Sequence, residues 1–216
     1  MDPTVILFFV VASALSSGVI AFAFWYGKKR EAERKAWAES KGWRYDKRGS
    51  TTVISGDYDG VPFEYKVRRQ RSGNSTKTIY SWETAAEPAD HVVLVGPPIP
   101  SAMLAMGLGG SIVQLVLRMV LGPDAEQLAD VRELPFGTTL FDGKLTILGD
   151  DEAFAEGFFV EGTVAKLREL SQSKMTTAII RWNARLEVRP MEFSGREADI
   201  EALVKLGVQL SRGAGF

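Results

Sequence analysis

Cysteine is absent from the 216 residues, and histidine occurs once, at position 91. The first absence removes disulfide scaffolds, thiol nucleophiles, iron–sulfur clusters and thiolate zinc sites. The second removes every metal site built on several imidazoles. Neither sign of charge is in excess: 26 Lys and Arg face 27 Asp and Glu, a formal net charge of -1. The balance is uneven along the chain, because residues 27–90 carry 14 cations against 10 anions and residues 91–216 carry 12 against 16. At 45% apolar and 25% charged, the composition is that of a folded chain of one or two domains, and low-complexity classes are excluded.

The N-terminal stretch from Thr4 to Tyr26, TVILFFVVASALSSGVIAFAFWY, has no charge over 23 residues. As a helix it would span about 34 Å, enough for a hydrocarbon core of roughly 30 Å. Bulky Phe24, Trp25 and Tyr26 follow where a signal peptidase would need small residues, so residues 1–26 are expected to remain as a transmembrane anchor. Trp25 and Tyr26 fit an interfacial aromatic belt. Lys28, Lys29 and Arg30 come directly after and place the C-terminal side in the cytoplasm by the positive-inside rule, with the N-terminus outside. Small residues recur four apart at Ala12/Ser16, Ser13/Ser17, Ala14/Gly18 and Ser17/Ala21. That spacing lets two helices approach closely in lipid, so Ala14, Ser17, Gly18 and Ala21 are candidate packing positions for a partner helix; small residues are also common in any membrane helix.

Residues 27–42 read as a charged helical stalk with Glu31 and Lys35 at i,i+4, closed by Gly42. From residue 43 to 216 the pattern predicts an α+β domain with an antiparallel sheet, built first, and helices on one face. Five short strands are expected around 43–45, 51–54, 61–68, 78–84 and 91–95, with Asp59-Gly60 as a hairpin turn. A strand at 145–148, a helix after Asp150-Asp151-Glu152, a helix carrying Val164, Leu167 and Leu170, a strand pair around Asn183-Ala184 and a last helix from about Arg196 to Leu210 complete the reading. Arg69 to Lys77 reads as a solvated loop; Arg69, Arg71 and Lys77 within it, with Arg68 at the end of the strand before it, are candidate contacts for an anion. The apolar segment 100–121 admits three readings: a buried domain helix, a surface or partner-docking helix, or a second span, although Gly107, Gly109, Gly110 and Arg118 weigh against the last.

Several stretches resemble a group of single-pass bacterial inner-membrane proteins with a cytoplasmic α+β domain. The likeness rests on Gly42-Trp43-x-Tyr45 after a charged stalk, on Ser55 to Phe63, on the strand from His91 to Val95 and on Phe141 to Ala155, in that order. It implies a fold and a topology and carries over no activity, cofactor or catalytic residue.

The sequence offers little to catalysis. His91 has no partner nucleophile in view, Asp150-Asp151-Glu152 are adjacent instead of spaced as cation ligands, and Gly107-Leu108-Gly109-Gly110-Ser111 lacks the Lys-Ser/Thr of a phosphate cradle. No catalytic, cofactor-binding or metal-ligating residue is therefore expected. The expected function is a non-catalytic accessory subunit that braces a larger inner-membrane complex, respiratory and photosynthetic assemblies included, with membrane lipid and other membrane subunits as partners and no nucleic acid. The alternative is a tethered cytoplasmic domain that senses an anionic lipid or a small anion.

Overall fold

A computed structural model describes residues 3–72, 75–98, 113–114, 117–118, 130–172 and 177–213; within these, the side chains of 3–18, 20, 70, 72, 75, 137–138 and 171–172 lie outside the description. The chain divides into two compact units, Met1–Tyr45 and Asp46–Phe216.

The first unit is a helix, α1, over Pro3–Ser40. At 1.5 Å per residue it is about 57 Å long. Pro3 stands at its first position, where a missing N–H costs no intrahelical bond. Its end is a Schellman motif: Trp43 N donates to Ala38 O at 2.9 Å, Gly42 N donates to Glu39 O at 2.9 Å, and Gly42 takes φ 75°, a left-handed conformation that glycine adopts without steric cost. Trp43 stands edge-on to Trp37 at 5.5 Å, the apolar contact that accompanies this cap. Among the described residues no helix is long and apolar enough to cross a membrane. Much of the uncharged run lies outside the residues whose side chains are described.

After α1 come β1 (Arg44–Arg48), whose first two residues belong to the first unit, and then, in the second unit, β2 (Thr51–Tyr58), β3 (Val61–Ser72), β4 (Ser75–Ala85), β5 (Val92–Gly96), β6 (Arg132–Glu133), β7 (Thr146–Gly149), β8 (Thr177–Trp182) and β9 (Arg185–Pro190). These form one sheet in the order β1-β2-β3-β4-β9-β8-β5-β7-β6, with antiparallel pairing throughout the registered neighbours. The helices are α2 (Phe136–Phe141), α3 (Glu152–Phe158), α4 (Glu161–Gln172) and α5 (Glu197–Gly213). An antiparallel α+β domain is thus present, with two differences from the sequence reading. The sheet is not completed before the helices, because the late hairpin β8–β9 inserts between β4 and β5. Nor is only one face covered, as the two apolar rows below show.

Registers place Ile54, Tyr65, Trp82, Val188, Ile179, Val95 and Ile147 in one row across seven strands, all at most 2% exposed. Burying such side chains fully contributes about 1.5–3 kcal/mol each. α5 lies against β2, β3, β4 and β9 on this face, and Gly207 lets it approach the Trp82 indole. Arg212 at its last turn pairs with Asp59 in the β2–β3 turn at 3.8 Å. Side chains alternate along a strand, so Leu148, Leu94 and Ile180 point to the opposite face. There they form a core with Val92, Val131, Val113 and Leu117. Val113 and Leu117 belong to the apolar segment 100–121; both are buried in this domain's own core, while Arg118 is exposed. The remaining residues of that segment fall outside the described ones.

Turn chemistry fixes the hairpins. Asp59 and Gly60 take φ 54° and 84°, the double left-handed geometry that joins twisted strands in two residues, and Gly60 N donates to Asp57 Oδ1 at 2.7 Å. Asp151 caps α3 by accepting from Phe154 N at 2.7 Å.

Candidate interaction surfaces

The described part of α1 concentrates exposed apolar surface. Among the described residues, the large hydrophobic side chains that stand exposed all lie between Val19 and Tyr26, save Val160 and Met191. Phe24, Trp25 and Tyr26 are each overlaid by a cation one turn further on: Lys28 at 4.8 Å, Lys29 at 5.6 Å and Arg30 at 5.6 Å from the ring centres. Successive residues are about 100° apart around a helix, so these three pairs point in three well-separated directions. Phe22 stacks on Tyr26 at 6.1 Å. The five sequence-predicted interface residues Trp25, Tyr26, Lys28, Lys29 and Arg30 therefore form a collar, aromatic below and cationic above. Of the packing stripe, Ala21 is exposed, and Ala14, Ser17 and Gly18 are among the residues whose side chains are not described.

The second surface is the tip of the β3–β4 ladder. Residues 69–77 were expected as a loop, yet the ladder continues through Arg69↔Thr78, Gln70↔Lys77 and Arg71↔Thr76 to Ser72↔Ser75. Polar residues of weak strand preference stay extended here because the ladder already set by β3 and β4 simply propagates. β2 pairs with β3 only as far as Arg68, and β9 pairs with β4 only at Trp82 to Ala85. The last four pairs thus form a two-stranded ribbon reaching about 13 Å past the sheet. Arg68, Arg69, Arg71 and Lys77 are all exposed on it. Alternation divides them, with Arg69 and Arg71 on one face and Arg68 and Lys77 on the other, so they do not converge on one small anion. Arg69 N donates to Ser50 O at 3.4 Å, which brings the β1–β2 turn, with Lys47 and Arg48, beside the ribbon's base.

Titratable groups elsewhere engage one another. His91 Nδ1 is 3.6 Å from Asp150 Oδ2, and its ring lies 5.6 Å from that of Phe154. Asp150 Oδ1 accepts from Val92 N at 2.9 Å and so staples the start of β5 to the end of β7. Arg181 lies over Phe154 at 5.9 Å and donates to Asn183 O and Glu87 O, tying the β4–β5 connection to the β8–β9 turn. Burial lowers its guanidinium from the ordinary value, and Glu87 opposes that shift. Registers bring Glu64, Glu83 and Glu187 side by side on three strands. Their repulsion is relieved by Lys66, which bridges Glu64 at 2.8 Å and Glu83, and by Arg189, 2.6 Å from Glu187. Sequence reasoning missed this network, because only the register reveals it. Among the described residues no group of three or more His, Asp and Glu could hold a metal ion.

α4 and α5 touch closely where Gly162 faces Gly213 and then diverge into a groove of about 370 Å³ with Leu170, Ala202 and Leu206 in its lining. Its flanking cations are paired, Lys166 with Glu169 at 2.7 Å and Lys205 with Glu201 at 3.2 Å.

No family model and no curated protein matches the chain. Among solved structures, the crystal structure of the mycobacterial trehalose monomycolate transport factor A, TtfA, is similar with a TM-score of 0.50 and 12% identity, over 83% of this chain and 90% of that one. At that identity the likeness is one of fold.

Proposed function

We propose that this chain is a single-pass, non-catalytic accessory subunit of a larger bacterial inner-membrane complex, with α1 as its anchor and the α+β unit bracing the assembly from the cytoplasm. The observation that carries this reading is the collar. A helix lying in the plane of the interface presents aromatics on one face and cations on the other. Here Phe24, Trp25 and Tyr26 spread over about 200° around the axis, and Lys28, Lys29 and Arg30 cover nearly the same sector one turn above. Aromatics and cations stacked along the axis on one broad sector, and not on opposite faces, suit a helix that passes through the boundary along its own axis, with the charged end toward the cytoplasm. TtfA carries a similar fold and is by its name a transport factor, so a place beside a transport assembly falls within this proposal.

The partner contact is assigned to the stripe Ala14, Ser17, Gly18 and Ala21. Gly18→Leu should separate the packed helices at a cost of about 1–3 kcal/mol, by analogy with overpacked interiors, and weaken association by roughly 5- to 150-fold. Ile20→Leu keeps the volume and is the control. Extraction in mild detergent followed by mass spectrometry of co-purifying subunits reads the difference. Equal recovery of the same partners with Gly18→Leu would remove the subunit reading and leave α1 as an anchor only.

A further inference from the structure

Among the described residues, several cations are neutralised where they stand. Lys29 pairs with Glu33, Lys35 with Glu39, Arg48 with Asp46, Lys66 with Glu64 and Glu83, Arg189 with Glu187, and Arg212 with Asp59. The β3–β4 ribbon departs from this. Residues 65–82 contain no Asp or Glu, and neither do residues 47–56 in the turn beside the ribbon's base. Arg68, Arg69, Arg71 and Lys77 make no ion pair among the described residues. A protein of net charge -1 thus gathers four unpaired, exposed cations on a projecting finger.

We propose that this ribbon is a second membrane contact, which inserts among the head groups of an anionic phospholipid surface. Three features select that partner. The cations are split between the two faces of a narrow finger, an arrangement that meets phosphates on all sides, as within a head-group layer, and suits a single bound anion poorly. The nearest ribbon aromatic, Tyr80, is engaged with Phe193 at 5.0 Å and with Gly195, so no ring is left as a stacking platform for single-stranded nucleic acid. The third feature rests on the anchor reading above: α1 holds the chain at a bilayer, so the finger meets lipid at high effective concentration. Each cation near such a surface contributes about a fivefold factor, within a Debye length of roughly 8 Å.

The absence of native cysteine makes the test direct. The full chain carrying Thr76→Cys, labelled with a fluorophore at that exposed position, is reconstituted into vesicles of phosphatidylcholine alone or with about one third phosphatidylglycerol. Quenching by a head-group-labelled lipid reports contact. Quenching is expected with phosphatidylglycerol only. It should vanish at about 0.5 M salt, where the Debye length is roughly 4 Å, and fall at least about 25-fold in apparent partition for Arg69→Glu/Arg71→Glu. Arg68→Glu/Lys77→Glu should act likewise, and Lys144→Glu, exposed at a distance in sequence, should not. Quenching that is equal in both lipids, or absent from both, overturns the proposal. So does tighter, salt-matched binding of a nucleic-acid oligonucleotide, or loss of the signal to millimolar inorganic phosphate. Flotation with pure phosphatidylcholine reads the anchor separately. If the chain does not float there, its flotation with phosphatidylglycerol vesicles still decides the ribbon: binding lost in the double variant supports it, and no binding overturns it.

Discussion

Gly207 and Gly157 both lie within helices, and the same substitution should move stability in opposite directions at the two sites. At Gly207 of α5 an added Cβ would lie 2.2, 2.3 and 2.5 Å from three indole atoms of Trp82. Ordinary carbon contacts are about 3.5–4.0 Å, so the helix or the ring must yield by roughly 1.3 Å. The ring has no room to turn, being fully buried in the apolar row between Tyr65 and Val188. α5 is equally constrained, since it rests on β2, β3, β4 and β9. Overpacking of this kind costs about 1–3 kcal/mol and occasionally more; the helical preference of Ala over Gly returns about 0.8–1 kcal/mol. A clash of this depth against a fixed indole belongs at the upper end, so Gly207→Ala should lower stability by about 2–4 kcal/mol. At about 2–4 °C per kcal/mol for a unit of this size, the melting temperature should fall by roughly 5–15 °C. At Gly157 of α3 nothing lies within 4 Å of the added atom, and Ala should stabilise by up to about 1 kcal/mol. Urea unfolding of the reconstituted chain, followed by circular dichroism, measures both. Trp82→Phe should cost less in the Gly207→Ala background than alone, because the smaller ring admits the methyl group. A Gly207→Ala variant as stable as the parent would refute the packing argument.

Further expectations follow from the same contacts. Glu83→Ala should cost about 1–3 kcal/mol, because it removes a carboxylate, 8% exposed, that bridges Lys66 and Arg185, while Glu64 keeps Lys66 paired at 2.8 Å; Glu64→Ala/Glu83→Ala, which strands Lys66, should cost more than the two single changes together, as chemical denaturation will show. Asp150→Ala should lose about 1–3 kcal/mol with the bond to Val92 N, whereas His91→Gln, at a half-exposed ring, should stay within about 0.5 kcal/mol and leave the cellular role intact. Gly149→Ala places a Cβ 2.9 Å from Leu134 and 3.1 Å from the Val92 carbonyl, and should destabilise β7 by about 1–3 kcal/mol in the same measurement.

What the sequence revealed and what it hid divide along physical lines. Signals that act over a few residues were legible: Gly42 closing a helix, Asp59-Gly60 turning a hairpin, the acidic run Asp150-Asp151-Glu152 opening α3, and the alternation that marks β3, β4 and β9. Strand order was not, because an alternating pattern states which face is apolar and says nothing about the neighbour, so the insertion of β8–β9 between β4 and β5 escaped. The extended ribbon at 69–72 and 75–78 escaped for a related reason, since Arg, Gln and Ser have weak strand preference and are held by a ladder that begins elsewhere. Gly207 gave no signal in the sequence; only its closeness to the Trp82 indole shows why a glycine stands there. The ion network of Glu64, Glu83 and Glu187 needed the register. By contrast, the cations of the collar and of the ribbon were visible from the start; the structure added that the first stack over aromatics one turn below and the second occupy both faces of a finger.

The proposed crossing of the membrane by α1, with its collar at the cytoplasmic boundary, can be tested with a single reagent. Thr76→Cys supplies the only thiol in the chain, and a membrane-impermeant maleimide is applied to intact spheroplasts and to inside-out vesicles. The account predicts labelling in inside-out vesicles, none in spheroplasts, and retention of the protein in the membrane after alkaline carbonate. Labelling from outside in intact spheroplasts, or release of the chain by carbonate, would contradict it.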